Sequence, residues 1–154
     1  MRKIFSEVNK AYISGLLDGD GAIMACIEKH AEKKFGFRIR ICIKISQNNL
    51  KILNWCKSVT GLGNVRFVKK EEYEWITRNQ EDAKKLLEFL IPYLRIKKKQ
   101  ANLAGKILNS KITTAKKLLK IAKLADALSK LNVRSRGRRK NFASMIQGSI
   151  SPND

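Results

Sequence analysis

The chain has 154 residues, about one domain's worth, and its 33 Lys and Arg against 13 Asp and Glu give a formal charge of +20. So large a basic excess points to a polyanionic partner, nucleic acid before an anionic membrane surface, and it is heaviest over residues 111–154. The longest apolar runs fall short of the roughly 18 residues of a spanning helix, no secretory signal is visible, and three cysteines without CxxC spacing beside a single histidine argue against a zinc site and for a reducing interior.

Ser6 followed by Glu7 starts a helix over 7–19, a cap and then a first-turn acid. Residues 22–29 alternate and read as a strand, followed by a polar loop with Lys33, Lys34 and Gly36. Residues 37–45 alternate strictly: Phe37, Ile39, Ile41, Ile43 and Ile45 form an apolar face, while Arg38, Arg40, Cys42 and Lys44 form a mostly basic one. Asn48 or Asn49 caps a helix over 50–59, which Gly61 ends. Residues 65–69 and 73–77 make a second hairpin, and Asn79, Glu81 and Asp82 begin a helix over 80–91 that Pro92 terminates. Two helices follow, over 96–109 and from a Thr113 or Thr114 cap to Leu131. Residues 132–154 form a basic tail with Arg134, Arg136, Arg138, Arg139 and Lys140, part disordered and part a short helix near 142–147. The order is α-β-β-α-β-β-α with further C-terminal helices, an α+β class. It predicts one domain over 1–131, with four antiparallel strands in a sheet that is apolar under the helices and solvated on its other face.

The densest signal is Ile13-Ser14-Gly15-Leu16-Leu17-Asp18-Gly19-Asp20-Gly21. Gly15 and Gly19, four apart, share one helical face, and small residues at 14, 15 and 19 let a second backbone approach closely. Asp20 emerges at the helix C-terminus, where unpaired carbonyls and the negative dipole end favour a cation. These nine residues resemble the motif of the LAGLIDADG homing endonucleases, matching at Gly15, Leu16, Asp18, Asp20 and Gly21, with Ser14 and Gly19 in place of two alanines.

The resemblance covers roughly residues 5–131 and implies that family's αββαββα fold, with a DNA-binding sheet. It implies a site-specific endonuclease that breaks both strands of a long pseudo-palindromic duplex and leaves short 3′ overhangs. A single motif implies a homodimer joined through Gly15, Gly19 and Tyr12, with the two Asp20 carboxylates side by side at the two-fold. By the same resemblance Asp20 is the metal ligand with the Gly19 carbonyl, for Mg²⁺ with Mn²⁺ as substitute. Asp18 has a structural role, Gln47, just past the second strand, positions the attacking water, Lys97 is the active-site lysine, and Lys51 lies at the site's edge.

A two-stranded ribbon fits the major groove, where all four base pairs are distinguishable. The groove-facing side chains are then Met24, Cys26, Glu28 and His30 on the first strand and Arg38, Arg40, Cys42 and Lys44 on the second. Arg66, Val68 and Lys70, then Glu74 and Ile76, complete the surface. A one-residue slip would exchange these assignments. Double-stranded DNA is thus the expected partner, without a membrane, in a prokaryotic cytoplasm or an organelle interior. The alternatives are an intron RNA maturase or a non-catalytic DNA-binding regulator, both disfavoured by the presence of Asp20, Gln47 and Lys97 together.

Overall fold

Ser6, in extended conformation, opens the first helix by accepting a hydrogen bond from the Asn9 N–H at 3.2 Å, which pairs one of the first turn's orphan amides. In the computed structural model, which describes residues 5–132 and 142–149, the chain runs α1 (Glu7–Asp20), β1 (Gly21–Lys29), β2 (Phe37–Gln47), α2 (Leu50–Thr60), β3 (Asn64–Lys69), β4 (Glu72–Thr77), α3 (Gln80–Leu90), α4 (Lys98–Leu108), α5 (Ala115–Leu131) and α6 (Phe142–Gln147). The expected α+β order is present. The caps are Asn49 for α2, Asn79 for α3 and Thr114 for α5. Pro92 lies in a 3-10 turn over Ile91–Tyr93 just after α3.

Four strands form one antiparallel sheet in the order β1-β2-β4-β3. Period-two alternation puts Ile41, Ile43 and Ile45 of β2 under the helices, in one core with Ile13 and Leu17 of α1, Leu86 and Leu90 of α3, and Ala101 and Ala104 of α4. Trp75, 1 % exposed, joins them and its indole N–H donates to the Leu62 carbonyl at 2.9 Å. The passage from α1 straight into β1 depends on Gly21, because a Cβ there would lie 2.8 Å from the Leu17 carbonyl oxygen. No larger residue fits the helix-to-strand corner on which Asp20 sits.

Three strand expectations are corrected. β1 ends at Lys29, so His30 belongs to the connection, where its N–H donates to the Gly36 carbonyl at 2.8 Å. The β3–β4 ladder shifts register between Phe67 and Lys69, leaving Val68 in a bulge that breaks strict alternation. Lys70 lies in the turn beside Glu71, whose φ of 58° is left-handed.

The short helix within the expected tail packs into the core: Phe142 and Ile146 of α6 are buried, and Asp126 of α5 accepts from the Phe142 and Ala143 N–H groups at 2.6 and 3.1 Å. Burying two such side chains contributes about 3–6 kcal/mol. Arg134, Arg136, Arg138, Arg139 and Lys140 lie outside the described residues. Among the described residues no helix is long and apolar enough to cross a membrane.

Candidate active site and nucleic-acid interface

Asp20 is the last residue of α1 and is exposed at its carbonyl end. β1 begins at Gly21 opposite Ile45, so Ser46 and Gln47 overhang the strand's start and lie alongside the helix tip. Gln47 is therefore the last residue of β2, not a residue beyond it, and its Nε2 donates to Asp20 Oδ2 at 2.5 Å. With Nε2 committed to the carboxylate, Oε1 is the amide atom left to accept a proton-bearing partner.

Asp18 is buried and performs the structural role expected of it. Its two carboxylate oxygens accept from the backbone N–H groups of Arg95 at 2.8 Å and Lys97 at 3.0 Å. Lys97, only 7 % exposed, donates its Nζ to the Asp18 carbonyl at 2.7 Å. That ammonium thus sits at the negative end of the α1 dipole, on the helix terminus that carries Asp20. The same clamp explains why α4 starts at Lys98 instead of residue 96: two of the preceding amides are already taken, and Lys97 has φ −98° and ψ 16°. Asp18→Ala would leave two N–H groups without their charged acceptor, and a loss of about 3 kcal/mol is expected in chemical denaturation.

The oxygen donors that could suit a hard cation here are the Asp20 carboxylate and the Gly19 carbonyl at the end of α1. Gly19 is exposed, and a Cβ built on it would have no neighbour within 4 Å. Among the described residues no cluster of three or more His, Cys, Asp or Glu is assembled. A carboxylate with a backbone carbonyl is the kind of partial set that Mg²⁺ could complete with waters and a phosphate. Lys51, exposed in the first turn of α2, makes no hydrogen bond or ion pair with a described residue.

The sheet face opposite the core presents Met24, Cys26 and Glu28 beside Arg38, Arg40, Cys42 and Lys44, then Glu74 with Arg66. A depression of about 240 Å³ sinks into it, and Cys42 and Ile76, both buried, lie deep in its lining instead of projecting as expected. Asn64, Ser46 and Arg78 share this surface and were missed by the sequence reading; only the cross-strand register, Asn64 against Ile76 and Ser46 against Glu74, reveals the first two.

The cations on this face are held in place by carboxylates. Glu28 accepts from Arg38 at 2.6 Å with Arg40 at 4.0 Å, and that Arg38 hydrogen bond holds its carboxyl below the usual range. Glu74, 3 % exposed, is not a free acceptor for a base: it bridges Lys44 at 3.0 Å and Arg66 at 2.7 Å, across β2 and β3. Burial pushes the Glu74 carboxyl up, but the hydrogen bonds from Lys44 and Arg66 outweigh this and hold it low. A depressed carboxyl contributes stability at neutral pH that is lost only as pH falls through its lowered value. Glu74→Gln is expected to cost about 2 kcal/mol at pH 7, and denaturation repeated in acid should show the difference from wild type shrinking.

A third feature lies on the outer side of α1, where Val8, Ala11, Tyr12, Gly15 and Gly19 are exposed in one stripe. Built Cβ atoms on Gly15 and Gly19 meet nothing within 4 Å, so neither glycine serves packing inside the chain. Ser14 faces inward and donates its hydroxyl to the Leu90 carbonyl at 3.2 Å, so at this position the backbone that approaches the small residue is the chain's own, at the end of α3. Tyr12 stands edge-on to Trp55 at 5.4 Å over an apolar hollow shared with Val8 and Ile52. Ile96, 71 % exposed between two clamped amides, adds apolar surface that a helix starting at 96 did not predict.

The family model described as LAGLIDADG endonuclease matches residues 13–107. The chain belongs to that family. The DNA endonuclease I-CreI of Chlamydomonas reinhardtii is 29 % identical to it over 127 residues, 79 % of this chain and 77 % of the relative. I-CvuI of Chlorella vulgaris is 28 % identical over 129 residues, 81 % of this chain and 80 % of the relative. Among solved structures, I-CvuI in complex with the I-CreI target in the presence of Mg aligns at a TM-score of 0.84 with 25 % identity, covering 94 % of each chain. An archaeal intron-encoded homing endonuclease, I-Vdi141I, complexed with DNA, aligns at 0.81 over 92 % of this chain and 96 % of its own, and at 22 % identity shows the shared fold. In this LAGLIDADG endonuclease the helix tip and the open face belong to α1, which runs directly into the first strand of the basic sheet.

Proposed function

We propose that two copies of this chain join along the α1 face and cut both strands of a long, pseudo-palindromic DNA target, each copy contributing one Asp20-centred site. The chain is a site-specific homing endonuclease of the single-motif type. The observation that carries the proposed arrangement is the Gln47–Asp20 contact at a helix tip whose adjoining face, Gly15 and Gly19, is open. An isologous contact through that face brings both carboxylates near the two-fold of the duplex.

Hydrolysis forms a bond from a water oxygen to phosphorus and breaks the bond to the 3′ oxygen, which departs and takes up a proton. Asp20 with the Gly19 carbonyl would hold Mg²⁺, or Mn²⁺ in its place, whose Lewis acidity at the phosphate and on a bound water is the chemistry it supplies. Gln47 orients the attacking water through Oε1 while its Nε2 keeps the Asp20 carboxylate in one orientation. Lys97 brings a fixed positive charge to the same helix end, held there by the Asp18 carbonyl, and steadies the developing negative charge. Lys51 works from the rim. The sheet face lies in the major groove, where Arg38, Arg40, Lys44 and Arg66 pair with guanine edges.

A maturase or a silent regulator would have no use for the Asp20, Gln47 and Lys97 set. The work would be done in a prokaryotic cytoplasm or an organelle interior. The test is Mg²⁺-dependent cleavage of a randomised duplex library, in which one near-palindromic consensus with 3′ overhangs is expected. Tight binding to one consensus without cleavage would move the reading to the regulator.

A further inference from the structure

Residue 78 follows the last residue of β4, yet the sheet does not end there. The Gln80 side-chain amide pairs with β2 in both directions, Oε1 accepting from the Ile41 N–H and Nε2 donating to the Ile41 carbonyl, each at 2.8 Å. It acts as one more rung of the ladder. The Arg78 carbonyl accepts from the same Gln80 Nε2 at 2.8 Å and from one further donor, Arg40 Nη2, at 2.8 Å. Its backbone is thus as fixed as a strand residue's, and its position continues the series Glu74, Ile76 on the face opposite the core.

The side chain is exposed and lines the depression in that face, beside Cys42 and near Arg40 and Arg66. Its electrostatic setting differs from that of its neighbours. Arg38 and Arg40 share Glu28, and Lys44 and Arg66 share Glu74, whereas Arg78 has no ion pair among the described residues. A ligand that engages the other cations must compete with a carboxylate or accept a donor already partly committed. At Arg78 it meets a guanidinium that no carboxylate engages, whose side-chain contact is with the neutral Cys42 thiol, on a backbone held by hydrogen bonds, which is the arrangement that lowers the ordering cost of recognition.

We propose that Arg78 reads a base edge directly, as a bidentate guanine contact in the major groove at a symmetry-related pair of target positions. This rests on the groove-binding reading of the sheet given above. The base is chosen by chemistry: the planar five-donor fork matches the O6 and N7 acceptors of guanine.

The test is selection from a randomised duplex library by wild type, Arg78→Ala and Arg78→Lys, each checked for an unchanged thermal midpoint. In Arg78→Ala the preference for guanine is expected to fall by about 5- to 150-fold at one symmetric pair of positions, with the rest of the consensus intact. Arg78→Lys keeps the charge and loses the fork, so it falls between. A uniform weakening on all sequences, with the salt slope reduced by about one phosphate, would overturn the proposal in favour of a backbone clamp. An unchanged consensus would overturn it outright. If the wild type selects no site, the groove-binding reading fails with it, whereas site selection indifferent to residue 78 removes this proposal alone.

Discussion

Asp20→Asn is expected to leave target binding intact and lower Mg²⁺-dependent double-strand cleavage by more than about 100-fold. Loss of a residue that merely supports a metal ligand costs about 10- to 100-fold, so loss of the ligand itself should cost more. The side chain keeps its size, and its amide oxygen still accepts from Gln47 Nε2, so the helix tip and the overhang of β2 are preserved. Binding should hold or tighten, because removing one carboxylate beside a phosphate removes a repulsion from a chain already at +20. The check is a matched pair of assays, cleavage with Mg²⁺ and retention of the same duplex with Ca²⁺. Equal cleavage by both proteins would mean that Asp20 is not the metal ligand.

Gly15→Leu should separate the dimer from the fold. The site has open space within the chain, since no atom lies within 4 Å of a Cβ built there, and leucine is a better helix former than glycine by about 0.8 kcal/mol. Nothing inside the protomer therefore opposes the substitution. A second α1 would, because an isobutyl group at the crossing keeps the two backbones apart. The expected result is a monomer by light scattering, with helix content unchanged and linearisation of target plasmid lost. A dimer that still linearises plasmid would show that the α1 face is not the contact and that Gly15 has another purpose.

The two substitutions probe features of different legibility. Asp20 and the two glycines stand within one nine-residue stretch, and the role of that stretch follows from helical periodicity and the end of a helix. Gln47 is assigned by resemblance alone, and its contact with Asp20 depends on β2 running two residues past the start of β1, a matter of register that no local pattern encodes. Lys97 is assigned in the same way. Its burial, and the shift of α4 to Lys98, come from the Asp18 carboxylate reaching 79 positions along the chain to a backbone N–H.

The outer face of the sheet divides along the same line. Alternation in β1 and β2 assigned Met24, Glu28, Arg38, Arg40 and Lys44 to the correct side, because nine paired positions carry an unbroken ladder. In β3 it failed past the bulge, where one extra residue exchanges the faces, and Val68 and Lys70 dropped out. Arg78 and Asn64 lie at or beyond strand ends, where periodicity has too few residues to speak. Glu74 was assigned to the correct side with the wrong task, since charge alone does not say that two cations will close over a carboxylate.

The sequence by itself determined the element order, the apolar face of the sheet, the acidic helix tip and the basic character of the partner surface. These follow from periodicity, capping and composition, all of which act within a few residues. The tertiary structure alone decided which cations stand free and which are bridged, that Ser14 faces inward while Gly15 and Gly19 remain open, and that Gln47 and Lys97 converge on the end of α1. Those outcomes rest on hydrogen bonds and ion pairs between segments far apart in the chain, whose geometry exists only once the strands have settled into register and the helices have packed beneath them.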